Sequence, residues 1–380
     1  MSRLLNPGLT VMRKLRINRK LALMGAMLLL PLIFLETAVI IKAAADLAFT
    51  QSEQRGVAVI KPLTELMQQL QTARSLSIRT LTGETALATE REQAHHQIKQ
   101  ASDALNAELA HQHADKLIAL LKPSTERLRQ LLAAQLPADR DAAWSLYTHP
   151  ISDLRNTLFA VGEQSGLLFD PDADTFFLMD LTVERLLPWT EALSRAQATA
   201  ADVARDNHAN ATHNAMLALQ IDDLRRQFSD VQAKVAALTR SGVETPASWD
   251  STRAVTEQFD SLATRLAGTD NTGIPPKAIN AAGDDARSAI MRMGTEVNTE
   301  LARLLNKRLQ SLWIAMAVML VVCLGGLVLL TYLFTCFYLS FFGDLASVHD
   351  GLTAITEGNL SHRLKLDGQD ELSTLANQVD

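Results

Sequence analysis

Apolar residues crowd two stretches of the chain, 21–44 and 312–340, and elsewhere recur three or four positions apart. Each crowded stretch supplies the ~20 mostly apolar residues that one helical crossing of a bilayer needs. The intervening 45–311 is polar and rich in Ala, Leu and Gln. Its apolar positions read as helices and almost nowhere as strands. Val57, Ile60, Leu63, Leu66, Met67, Leu70, Leu76 and Leu81 form one such stripe, closed by Gly83. Glu84 and Thr85 open a second helix that runs to about Leu109. A third covers 114–134, with Pro123 expected to interrupt it, and a fourth opens at Pro137-Ala138-Asp139, breaks at Pro150 and resumes to Leu168.

Asp170-Pro171-Asp172 then carries start signals for a helix, with Asp170 as cap and Pro171 in its first position. That helix is read as running to Arg240, bent at Pro188, and would span ~100 Å if straight. Another opens at Pro246 or Ala247. A last one runs from Pro276 through Leu309 into the second apolar stretch, with no Gly/Ser-rich linker between. The fold class expected is all-α: two transmembrane helices flanking a long helical bundle of one or two modules. Two stacked modules sharing long helices suit its length best.

Charge sets an orientation. The tail 1–20 carries Arg3, Arg13, Lys14, Arg16, Arg19 and Lys20 with no acid, and short basic flanks stay cytoplasmic. Both termini are therefore expected inside and 45–311 outside, in the periplasm of a bacterium. A signal peptide cleaved after Ala43-Ala44-Ala45 is the competing reading. Glu36 is costly at mid-bilayer unless it sits near the interface or faces a partner helix. Cys323 and Cys336 both fall by the second apolar stretch, so the outer region has no disulfide framework. Aromatics make up 5% of the 380 residues, which suits long helices, and a net charge of -6 gives no basic face for nucleic acid.

Candidate chemistry is sparse. Asp170, Asp172 and Asp174 imitate the start of a calcium loop, but Thr175 and Leu181 stand where its Gly and Glu belong. His95-His96, His111 with His113, and His208 with His213 lack the spacing of a metal pair, and they read as solvated. No metal, cofactor or catalytic arrangement is expected. Arg55, Arg74 and Arg79, with Lys61, are the candidates for holding a ligand, since convergent guanidiniums grip small anions. Arg74 leads them.

Past the second apolar stretch, Leu345, Val348, Leu352 and Ile355 form a coiled-coil seam. Glu357-Gly358-Asn359-Leu360, then Leu364, Leu366 and Asp370-Glu371-Leu372, follow it. This pattern over 341–380 resembles a HAMP linker, the parallel helix–connector–helix relay of bacterial receptors. The usual opening proline is replaced by Phe341-Phe342-Gly343, and the second helix is short where the sequence stops at Asp380.

The outer region resembles the sensory region of methyl-accepting chemotaxis proteins. The matching pieces are Arg55-Gly56-Val57, 62–83 with Leu70-Gln71 and Arg74, and Asp170-Pro171-Asp172-Ala173-Asp174-Thr175-Phe176-Phe177-Leu178-Met179-Asp180. Leu187-Pro188 follows at the expected distance. Where such relatives often carry His-Arg-Gly, this chain has Ala73-Arg74-Ser75. The resemblance implies a non-enzymatic, inner-membrane receptor that works as a parallel homodimer. It would sense a small anionic molecule or a periplasmic binding protein. The same outer region also precedes histidine kinases and diguanylate cyclases, so an input half of such an enzyme is the alternative. A structural membrane protein without signalling is the third.

Overall fold

A computed structural model describes residues 17–112, 115–205, 211–268 and 273–357. Its helices are α1 (Ile17–Leu81), α2 (Ala88–His111), α3 (Asp115–Ala133), α4 (Arg140–Ser165), α5 (Ala173–Met179), α6 (Leu186–Arg205), α7 (Ala211–Arg240), α8 (Trp249–Ala267) and α9 (Pro276–Thr356). Short 3₁₀ turns occupy Thr85–Leu87 and Leu167–Phe169, and a π turn occupies Asp180–Arg185. Among the described residues there is no strand. Two units divide the chain: Met1–Ala45 with Ser311–Asp380, and Asp46–Gln310.

In the first unit, two helices are long and apolar enough to cross a membrane. Met27, Leu30 and Phe34 of α1 and Val321, Leu324 and Val328 of α9 leave their side chains uncovered. Phe334 lies so close to the backbone at Gly25 that a Cβ there would meet its ring at 2.8 Å. Glu36 lies within hydrogen-bonding reach of Cys323, so the carboxyl faces a neighbouring helix.

The second unit is held by a continuous apolar core in which Ile60, Leu63, Leu66, Met67 and Leu70 of α1 are wholly buried. Here α1 and α9 run antiparallel. Gln54 Nε2 donates to Asn306 Oδ1 at 2.6 Å, and Arg79 Nη1 reaches Asp284 at 2.7 Å. One row of contacts crosses the unit at a single level. His95 of α2 and Ser77 of α1 lie 2.7 and 2.9 Å from the Tyr147 hydroxyl of α4. Arg74 of α1 pairs with Glu191 of α6. Beside Glu191, Trp189 stacks on Phe228 of α7 with centroids 5.4 Å apart, and Phe228 meets Trp249 of α8 at 6.2 Å. Six helices thus share one level and stand side by side. The two stacked modules expected from length are not what forms.

Three further expectations are corrected. Pro123 and Pro150 do not break their helices. An internal proline costs ~3 kcal/mol, and here Leu121, Leu128 and Leu131 of α3 and Tyr147, Ile151 and Leu154 of α4 bury the faces that offset it. Asp139 caps α4 by accepting from Ala142 N, and Gly166, at φ 87°, ends it. The single helix from 172 to 240 is instead α5, the π turn, α6 and α7. A straight helix would hold positions 189 and 228 about 58 Å apart, whereas their rings stack. Finally, Asp172 rather than Asp170 occupies the N-cap position of α5, and its side chain makes no capping bond there. Asp170 Oδ1 accepts from Asp172 N at 3.0 Å, one step upstream.

Candidate functional site: a polar cleft and a buried acid cluster

The cleft lies among α1, α4, α6 and α9, where helical spacing turns Gln71, Arg74 and Ile78 of α1 toward Ser194, Gln197 and Ala201 of α6. Arg74 is 1% exposed. Its Nη2 and Nη1 lie 2.6 and 3.1 Å from the two oxygens of Glu191, and Nη1 also donates to Thr148 Oγ1 at 2.8 Å. The guanidinium covers the Trp144 ring, 4.1 Å from its centroid. Burial opposes ionisation of Glu191, and the Arg74 charge and hydrogen bonds, aided by Arg195, outweigh it. The carboxyl is held below its ordinary value.

Arg79 sits one layer further along. It binds Glu84 at 2.6 Å and Asp284 at 2.7 Å. Asp284 also accepts from Arg287 at 2.6 Å and from Gln197 Nε2 at 3.0 Å, while Asn280 Nδ2 donates to Glu84 at 2.7 Å. Gly283 admits Gln197, whose Cγ would lie 2.6 Å from a Cβ there. Of the three arginines offered by the sequence, the fold brings Arg74 and Arg79 to the cleft and engages both with acids. Arg55 is apart and exposed, with Nε donating to Gln51 O of its own helix at 3.3 Å. The guanidiniums here stabilise the packing of α1, α6 and α9 instead of standing open for an anion.

Gln71 is the residue the sequence did not single out for a role. It is 1% exposed, and neither amide atom has a hydrogen-bond partner; Ser194 Oγ in the same cleft is also unpaired. Each unmade buried hydrogen bond costs ~1–3 kcal/mol. Gln71→Leu, similar in size and free of that cost, is therefore expected to stabilise the full chain by about 1 kcal/mol. A rise in Tm on melting would show it, and an unchanged or lowered Tm would count against unpaired amide atoms. His95, expected to be solvated, is half-buried against Tyr147. Burial and then the Arg91 charge pull its imidazole below the ordinary value.

The acid cluster joins α1, near the start of its stretch in the second unit, to α9. Arg308 Nη1 lies 3.0 Å from Glu53 Oε2, and Nη2 lies 3.0 Å from Asp170 Oδ1, 2.8 Å from Asp172 Oδ2 and 2.6 Å from Thr175 Oγ1. Of the three aspartates that imitate a calcium loop, two thus face a guanidinium, while Asp174 accepts from Thr175 N at 2.8 Å. Glu53 is fully buried.

In the first unit, Leu345 and Val348 are half-buried on α9, which also contains positions 352 and 355 and ends at Thr356. Gly358, Leu360, Leu364, Asp370, Glu371 and Leu372 lie outside the described residues. No protein-family model, no curated protein and no solved structure matches the chain.

Proposed function

We propose that the protein is a transmembrane signal-transducing receptor, similar in plan to chemotaxis receptors. Residues 45–311 face outward, 312–340 return through the membrane, and 341–380 act as a HAMP-type relay in a parallel homodimer. The observation that supports this most is the single helix Pro276–Thr356. One end of it carries Asn280 beside the polar cleft, and its other end runs into the stretch where the sequence spaces Leu345, Leu352 and Ile355 as a coiled-coil seam. A ligand that binds one packing of the cleft helices better than another shifts their equilibrium. An unbroken helix can pass that shift along its own axis.

The reading requires Asp250, exposed beside Trp249, and Asp344 on opposite sides of a membrane. Cysteines placed singly at these positions, in a chain with Cys323 and Cys336 replaced by serine, are expected to label from opposite faces with an impermeant maleimide. In intact cells Asp250→Cys, whose position is exposed, reacts and Asp344→Cys reacts only after permeabilisation. Labelling of both from one side would end the proposal.

A further inference from the structure

The acid cluster holds more negative charge than it neutralises. Asp170 and Asp172 approach from the loop before α5, Thr175 from α5 itself, and Arg308 from α9; these three charges are the ones that act on Glu53. With every acid ionised, three carboxylates would share one guanidinium. Asp172 is largely exposed, so water screens it, but the side chains of Glu53 and Asp170 are wholly buried. Two adjacent buried carboxylates do not both ionise readily. Glu53 Oε2 is taken by Arg308, and its Oε1 is buried without a partner. Asp170 lies within side-chain hydrogen-bonding reach of the same carboxyl. A proton on Glu53 would remove one charge and supply the donor that this contact lacks.

We propose that the Glu53 carboxyl, packed with Asp170 against Arg308, is a proton-binding site that sets how tightly α1 is clamped to α9. The side of the membrane that supplies the proton follows from the receptor reading; proton binding itself does not depend on it. Burial first, and then the Asp170 charge, raise the carboxyl from the ordinary 4.5 to about 8 against the pull of Arg308. Between those two values the folded chain holds a proton that the unfolded chain has lost. The stabilisation is complete below 4.5 and is lost as pH rises through about 8. Above that, a buried Glu53 anion repels Asp170 and loosens the clamp.

The test uses the full chain in lipid nanodiscs, carrying ¹³C-labelled glutamate, titrated by infrared difference spectroscopy and by melting. A glutamic-acid C=O band should persist at neutral pH, disappear near pH 8, and be missing in Glu53→Gln. The wild-type Tm should fall across this interval while that of Glu53→Gln falls less. Asp170→Asn removes the repelling charge, so the band should disappear at lower pH; this variant and the labelled wild type decide the matter even if Glu53→Gln fails to fold. Titration of the glutamate near 4.5, or an identical pH dependence of Tm in wild type and Glu53→Gln, would overturn the proposal.

Discussion

Arg74→Leu is expected to destabilise the protein by about 3–5 kcal/mol, because removing one partner of a buried pair strands the other. Glu191 would keep only Arg195, whose side chain is half exposed. Thr148 and the Trp144 face would lose their contact as well. Replacing both members, Arg74→Leu with Glu191→Leu, should return most of that loss, since an apolar pair of similar volume is often neutral. Denaturation of the full chain at neutral pH measures both. A double variant as unstable as the single one would mean that packing against Trp144, and not the stranded carboxylate, dominates. In wild type the lowered Glu191 carboxyl contributes stability above its unfolded value, and this is lost as pH falls through the lower folded one. Arg74→Leu should lose that acid dependence.

Gly56→Val carries the second large effect, about 3 kcal/mol, at the upper end for overpacking a filled site. A Cβ at 56 would overlap Oγ and Cβ of Ser165 and lie 2.9 Å from Leu167 Cδ1. Ser165 offers no flexible end that could swing away, and it closes α4 just before the left-handed Gly166. Adding Ser165→Gly clears the nearest atoms and should recover about half of the loss, on the same scale. A Tm for Gly56→Val within a degree of wild type would show that α1 and α4 can separate freely at this point.

Much of the architecture was legible because its signals are local. The stripe from Val57 to Leu81, the Gly83 stop, the Asp139 start and the uninterrupted run from Pro276 all correspond to elements that form. Failures came where packing decides. Pro123 and Pro150 look like breaks until the buried leucines around them are counted. The run from 172 to 240 reads as one helix because alanines, good helix formers, bridge Val203 to Met216, and only Asp206, Asn207 and Asn210 hint at a division. Whether helices stack or stand abreast depends on contacts such as Arg74–Glu191, which pair positions far apart in sequence. For the site, a basic residue's chemical type was visible while its partners were not. Arg74 and Arg79 are brought to one cleft, yet Glu191, Glu84 and Asp284 already occupy them. Glu53 drew no notice because nothing near it in sequence announces Asp170 or Arg308.

The π turn at Asp180–Arg185 acts as a change of phase. It winds about one residue more into its turn than an α-helix would, so α6 is rotated by roughly 100° from the course that α5 sets. Thr175 and Leu178 face inward before it, and Trp189, Leu193 and Gln197 do so after it. Within it, Thr182 Oγ1 holds Asn298 Oδ1 of α9 at 2.9 Å. Deleting a single residue there would straighten the segment and turn the whole Trp189 face away from Phe228 and Arg74. Loop-like tolerance of length should therefore be absent from this short segment, even though it makes up only six residues of the chain.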